Sequence, residues 1–320
     1  MAYDYSRHWR DLGETSMQGD FDAQGLKTTL EGALGFALER FERLVCVNSL
    51  NFRAVRAGDG FAFTVKCLPL WRRKGFDLIA LHLREMRGSK APQRVFEEEC
   101  PHEFNGHLLL CLAWCEGRGI QPDRLSDEQL VGILDDYVEF SAALQKATHV
   151  LPPRPMLRWR DEALAKCTGP WGRWLRPVIE ETPVEDCVFR PEKIRVTHGD
   201  LHPGNFTICG NHVTGFLDVE GFVGEYPTCD ILRYFTFGAE HLKFFERRRR
   251  RRMFERFAAA VRHLPYAPDE WRAAIAVSWM EHLNKKLHDR NLGLKETVQL
   301  CHSARLYRRF RQLAEANARP

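Results

Sequence analysis

Residues 196–206 read Val196-Thr-His-Gly-Asp-Leu-His-Pro-Gly-Asn-Phe206, and residues 215–220 read Gly215-Phe-Leu-Asp-Val-Glu220. Asp200 stands five residues before Asn205, and Asp218 stands thirteen after it. Apolar residues lead into both blocks. Gly199 and the Pro203-Gly204 pair suit a tight, irregular loop, because glycine tolerates positive φ and proline fixes φ. Between the blocks come Phe206-Thr-Ile-Cys, then Gly210-Asn211, then His212-Val-Thr-Gly-Phe-Leu. Two short strands joined by a Gly-Asn turn are expected there. Such a hairpin returns Asp218 to the side of Asn205.

This set of groups suits phosphoryl transfer, which needs positioning and charge neutralisation more than covalent chemistry. Asp200 can orient a hydroxyl and accept its proton. Asn205 offers an amide oxygen and Asp218 a carboxylate, both suited to Mg²⁺, a hard cation that prefers oxygen. A lone His-x-Asp is most often an ordinary loop with a surface acid. Here several elements agree at fixed offsets, which favours the chemical reading.

His198-Gly-Asp-Leu-His-Pro-Gly-Asn205, Leu217-Asp-Val-Glu220 and Cys229-Asp-Ile-Leu232 together resemble the aminoglycoside phosphotransferase and choline kinase-like family. The resemblance is strongest over residues 194–235, traceable over 44–117 and vague elsewhere. It implies a protein-kinase-like α+β fold of two lobes. Residues 1–112 would form a small β-rich N-lobe with a helix and an antiparallel sheet. Residues 113–320 would form a larger, mainly helical C-lobe, with ATP and Mg²⁺ between the two. It implies Asp200 as catalytic base, His198 as a brace of the catalytic loop, and Asn205 and Asp218 as metal ligands. Glu220 matches a second acid after the metal aspartate, and Asp230 an acid that supports the loop.

Residues 22–44 carry Leu26, Leu30, Leu34, Leu38, Phe41 and Leu44 at helical spacing, with Asp22 as N-cap. Residues 45–68 read as two strands around Ala57-Gly-Asp-Gly60. Lys66 ends the second and, by the resemblance, contacts nucleotide phosphates; otherwise it is a surface lysine at a strand end. The turn Val47-Asn-Ser-Leu-Asn51 lacks the glycines frequent in a phosphate-covering loop, although Ser49 and Asn51 can donate to phosphate. Residues 75–87 read as a helix that supplies an acid for Lys66, either Glu85, which lies on the longer register, or Asp77. His107–Arg118 reads as a buried strand ending in a glycine turn. It resembles the segment between the lobes, where backbone near Ala113 and Cys115 meets the adenine edge.

The 320 residues suffice for one two-lobed domain or two ordinary ones. A hydrophobic share of 44% and a charged share of 28% are those of a soluble globular protein. The longest apolar run, Leu108–Trp114, is far shorter than a membrane span. The N-terminus shows no apolar signal core, so a cytoplasmic location is the default. The ten cysteines include no C-x₂-C pair, which argues against zinc and for buried thiols. A net charge of +4 is too weak to argue for nucleic acid as a partner.

Residues 123–147 read as a helix and Pro152, Pro153 and Pro155 as a break. The remainder, about 156–185 and 235–318, reads as mainly helical. Arg247–Arg252 are six consecutive arginines, more than one helical turn. Either the helix breaks there, or an acid or anionic ligand meets one of them. The run reads as a solvated helix face, as capture of an acidic substrate or membrane phosphate, including peripheral contact with a membrane, or, least of the three, as a nucleic-acid contact. Trp271, Trp279, Glu281, His282 and Asp289 could line a pocket for a cationic acceptor; the Trp279–His282 stretch reads equally well as core with a polar edge. The expected reaction moves the γ-phosphate of ATP to a hydroxyl of a small molecule: an aminoglycoside, an amino alcohol or a sugar. The alternatives are a kinase of a membrane-linked or phosphorylated glycan, and a nucleotide-binding scaffold without turnover.

Overall fold

The computed structural model describes residues 21–44, 50–70, 80–81, 83–84, 86–96, 98–99, 101–144, 156–181, 190–219, 222–240, 242, 246–288 and 293–317. Ser49, Asp77, Glu85, Glu220 and Asp289 lie outside the described residues, as does the proline break at 152–155. The chain divides into two compact units, Met1–Glu116 and Gly117–Pro320.

The first unit opens with α1 (Ala23–Leu34). The Asp22 carboxylate caps it by accepting the Gly25 N–H at 2.7 Å. Residues 22–44 were expected to be a single helix, and the structure corrects this. Gly35 takes φ 71° and donates its N–H to the Glu31 carbonyl, the left-handed stop that glycine adopts without steric cost. Leu38–Leu44 then form strand β1. Leu38, Phe41 and Leu44 fit a helical period by coincidence. Phe41 instead stacks on Phe52 across the strand pair, with ring centroids 4.7 Å apart. The exposed Glu39, Arg40, Glu42 and Arg43 give this outer strand the charged character that keeps a sheet edge from pairing further.

Strands β2 (Leu50–Arg56), β3 (Ala62–Pro69), β4 (Glu103–Phe104) and β5 (His107–Ala113) complete an antiparallel sheet of order β1-β2-β3-β5-β4. Alternate residues Phe52, Ala54, Phe63, Val65, Cys67, Leu109 and Cys111 face α1 and bury Leu26 and Leu30 completely. Each of those two leucines contributes roughly 2 kcal/mol from buried apolar surface.

The second unit carries a 3₁₀ turn, Pro122–Arg124, followed by α2 (Asp127–Leu144), α3 (Met156–Lys166) and α4 (Gly169–Glu180). A strand-rich insert then holds β6 (Arg195–Thr197), β7 (Phe206–Cys209), β8 (His212–Phe216) and β9 (Val223–Glu225). Helices α5 (Pro227–Glu240), α6 (Arg247–His263), α7 (Pro268–His288) and α8 (Leu294–Asn317) follow. The turn 122–124 occupies the start of the segment expected to be helical from residue 123.

Phe257 of α6 packs edge-on against Trp271 of α7 and Phe310 of α8, at 5.5 and 4.7 Å between centroids. Trp271 is wholly buried in this core, so it lines no pocket, contrary to expectation. Trp279 is also buried and packs on His282 and Tyr307. All six arginines of the run are helical, on α6. The turn toward the core is met by acid: Arg249 donates to buried Asp123 at 2.6 Å and also pairs with Glu246. Arg247, Arg248, Arg251 and Arg252 remain exposed. Among the described residues, no helix is long and apolar enough to cross a membrane.

Candidate active site

The hairpin expected between Asn205 and Asp218 is present, and a second strand pair not expected from the sequence flanks it. β6 pairs antiparallel with β9, Val196 opposite Gly224, and delivers the chain to His198. β7 and β8 form the hairpin, with Phe206 opposite Phe216 and Cys209 opposite His212. Gly210 takes φ 63° in its two-residue loop. Buried Asp136 of α2 accepts the Val213 N–H at 2.6 Å and ties the hairpin to the helix.

The hairpin closes the site by backbone hydrogen bonds. Leu217 donates its N–H to the Asn205 carbonyl at 2.7 Å. His198 Nε2–H donates to the Leu217 carbonyl. A carbonyl can only accept, so the imidazole proton sits on Nε2, which leaves Nδ1 to accept the Asp200 N–H at 3.4 Å. The fully buried His198 ring thus bridges the backbone of Asp200 to the residue before Asp218. This is how a side chain distant from solvent braces the loop.

Asp218 has φ +58°, a left-handed conformation rare for a non-glycine residue. Such strain persists where neighbours over-determine the backbone, and it clusters at functional sites. Here Leu217 is fixed through both its N–H and its carbonyl, immediately before the strained residue.

The Asn205 side chain is buried, and its Nδ2 donates to the Asp200 carbonyl at 2.9 Å and to Asp200 Oδ2 at 3.3 Å. Both partners are acceptors, so the amide orientation is determined: nitrogen toward Asp200, oxygen away from it. The Leu217–Asn205 backbone bond places the residue before Asp218 beside Asn205, and an amide oxygen and a carboxylate are both hard oxygen donors. That fits Mg²⁺, which keeps several waters and takes one or two protein oxygens beside substrate phosphates. Among the described residues no group of three or more His, Cys, Asp or Glu is arranged to hold a metal ion by itself. Asp200 is exposed.

Beneath the loop lies an ionic core that the linear motif does not disclose. Asp230, fully buried on α5, accepts the N–H groups of His198 at 2.7 Å and Gly199 at 2.9 Å. It also accepts the Tyr137 hydroxyl at 2.8 Å and Arg233 at 3.0 Å. Arg233 is bidentate to Glu225 of β9 and reaches Glu281 of α7 at 3.3 Å. Burial works against the charge of Arg233, yet Glu225 and Asp230 hold its guanidinium well above the ordinary value. Burial first, then the Asp230 charge, pushes the Tyr137 phenol far up, so it stays a donor. Thr197 adds a 2.8 Å hydrogen bond to Glu225. Sequence reasoning reached Asp230 but missed Tyr137, Glu225 and Arg233. The available signal was the Asp230/Arg233 pair, three residues apart on one helix face.

In the first unit, Lys66 and Asn51 are direct cross-strand partners. They occupy the sheet face opposite the α1 cluster, since their neighbours Val65, Cys67 and Phe52 face α1. Lys66 is buried rather than a solvated strand-end lysine. The Ala113 N–H is engaged by the Gln93 carbonyl at 2.8 Å, and the Ala113 carbonyl receives the Cys115 thiol at 3.8 Å. Burial pushes that thiol up to about 11.

Solved structures of similar fold include an aminoglycoside phosphotransferase from Alicyclobacillus acidocaldarius (TM-score 0.58, 13% identity, covering 86% of this chain and 90% of that one). A choline/ethanolamine kinase family protein from Mesorhizobium loti gives TM-score 0.58 at 14% identity, covering 92% and 99%. A spectinomycin phosphotransferase in complex with ADP and spectinomycin gives 0.56 at 12%, covering 92% and 99%. These likenesses show the protein-kinase-like fold. No curated protein matches the chain. The model of the phosphotransferase enzyme family matches residues 79–274, more than half of the sequence, and the chain belongs to that family.

Proposed function

We propose that the protein transfers the γ-phosphate of ATP to a hydroxyl of a small molecule. The observation that carries this reading is the braced arrangement of Asp200, Asn205 and strained Asp218 on a loop pinned from below by Asp230. In the reaction, the acceptor oxygen forms a bond to the γ-phosphorus while the bond to the bridging oxygen of ADP breaks. Asp200 orients the hydroxyl and takes its proton. Asn205 and Asp218 are the proposed metal ligands, with Glu220 as a further candidate. Mg²⁺ held there supplies charge neutralisation at the transferred group. Lys66 is proposed to contact nucleotide phosphates, with Ser49 and Asn51 as donors, Glu85 as the acid for Lys66, and backbone near Ala113 and Cys115 for the adenine edge. With Ala113 N–H engaged, the Cys115 backbone is the better candidate of that pair. His198 supports the loop through its two ring nitrogens.

The acceptor is proposed to be an alcohol-bearing small molecule such as an aminoglycoside, amino alcohol or sugar, and consumption of ATP suits the cytoplasm. The similar solved structures described as bound to ADP and an antibiotic support this class. The exposed arginines of α6 keep open a second reading, an acceptor carrying phosphate or set at an anionic membrane. The test is Mg²⁺-dependent ADP release over a panel of aminoglycosides, choline, amino sugars, simple sugars and glycolipids. ³¹P NMR of the product serves as confirmation. A phosphomonoester formed with one acceptor class supports the proposal and identifies the class. ATP binding without turnover on any acceptor favours a scaffold, and no ATP binding sinks the nucleotide reading.

A further inference from the structure

His202, inside the same loop, is held by a ring stack and a hydrogen bond. Its ring stacks on Phe237 of α5, with centroids 4.8 Å apart and planes 14° from parallel. Its Nδ1 accepts the Gly204 N–H at 3.0 Å. The loop makes room for this: a Cβ on residue 204 would stand 2.8 Å from His202 Cε1 and 3.1 Å from Nδ1. A side chain there would displace the ring from its hydrogen bond, which explains the glycine between Pro203 and Asn205.

Because Nδ1 is the acceptor, the neutral ring carries its proton on Nε2. Nε2 stands 3.8 Å from Asp200 Oδ2, the oxygen that also lies 3.3 Å from Asn205 Nδ2. The Asn205 amide therefore donates to Oδ2, and His202 Nε2 faces the same oxygen at 3.8 Å, in electrostatic contact but beyond hydrogen-bond distance. Among the described residues, no hydrogen-bond donor reaches Oδ1.

We propose that His202 is a positioning residue for Asp200: its stacked ring directs Nε2–H at Oδ2, beside the Asn205 hydrogen bond, and so favours presentation of Oδ1 to the acceptor hydroxyl. The inference rests on the phosphotransferase reading for its consequence and on the loop geometry for its cause. A carboxylate held by one oxygen loses rotation about its last bond, and misplacement of a catalytic group by about 1 Å can cost on the order of a hundredfold in rate.

The experiment compares His202→Phe with His202→Gln. Phenylalanine keeps the stack on Phe237 and removes both nitrogens, whereas glutamine restores an N–H within reach of Asp200. ADP release is read with ATP and the acceptor found in the panel. His202→Phe should lower kcat roughly ten- to a hundredfold and leave KM for ATP within about twofold. His202→Gln should recover most of that loss, with thermal midpoints of both variants near wild type. In parallel, long-range ¹H–¹⁵N spectra of wild-type protein at pH 8 should show His202 as the Nε2–H tautomer. Wild-type kcat in His202→Phe, no recovery in His202→Gln, or an Nδ1–H ring overturns the proposal. Absence of ADP release from the wild type with every acceptor counts instead against the phosphotransferase reading, and the tautomer still decides the ring geometry.

Discussion

His198 and Asp230 are joined through the backbone: the His198 N–H donates to Asp230 Oδ2 at 2.7 Å, and both residues are wholly buried. The same carboxylate holds Gly199, so two successive N–H groups just before Asp200 end on one side chain. Replacing Asp230 with Asn removes the charge facing Arg233 and turns an NH₂ group toward groups that need an acceptor. Breaking a buried ion pair costs about 3–5 kcal/mol. Urea unfolding of Asp230→Asn should show a loss of that order, with turnover falling alongside. A stability within 1 kcal/mol of wild type, roughly the scale of a solvated pair, would show that the network is not closed as described.

Asp218 separates stability from function. Its left-handed backbone costs on the order of 1 kcal/mol that glycine would not incur. Asp218→Gly should therefore be at least as stable as wild type by thermal unfolding, while Mg²⁺-dependent ADP release disappears. A variant that both unfolds earlier and retains turnover would remove the proposed metal role.

The arginine run divides into one buried contact and several solvated ones. Arg249→Ala leaves Asp123 buried without its cation and should cost about 1–3 kcal/mol. Arg248→Ala, on the exposed turn, should stay within about 0.5 kcal/mol. Equal effects in denaturant titration would contradict this assignment.

His302 on α8 sits beside the same run. Burial, then Arg250 and Arg305, hold its imidazole below the ordinary value. A base with a lowered folded pKa binds its proton better when unfolded. Its contribution is therefore fully present above the unfolded value of about 6.5 and is lost as pH falls through that range. Between pH 7.5 and 5.5 the urea midpoint of wild type should fall more steeply than that of His302→Gln. Parallel curves would show that the ring titrates alike in both states.

Much of this molecule is legible in its sequence, and the part that is not has definite physical causes. The Asp200–Asn205–Asp218 spacing, the hairpin between its last two members and the strands on either side of Ala57–Gly60 follow from local turn chemistry and alternation, which short segments determine alone. A helix through residues 22–44 is not what forms, because a period of 3.6 and the sparse pattern of an edge strand coincide at Leu38, Phe41 and Leu44 while Gly35 stops the helix. The Asn105-Gly106 pair between β4 and β5, with φ 44° and 77°, was a readable hairpin signal. Of the Arg233 core only the Asp230/Arg233 pair on one helix face is readable, because Glu225 and Glu281 meet Arg233 only after β9, α5 and α7 have packed. Trp271 and Trp279 were ambiguous for the same reason: an aromatic residue on a helix suits a core and a pocket equally until its neighbours are known.

The central claim is that Asp200 accepts the proton of an acceptor hydroxyl on a loop otherwise built to hold still. The most direct measurement is the rate of phosphomonoester formation by wild type and by Asp200→Asn, with saturating Mg²⁺·ATP and the acceptor found in the panel. Removal of a general base predicts a fall in kcat of roughly 10²–10⁴ with ATP binding retained. An Asp200→Asn protein that forms product at the wild-type rate would contradict the account.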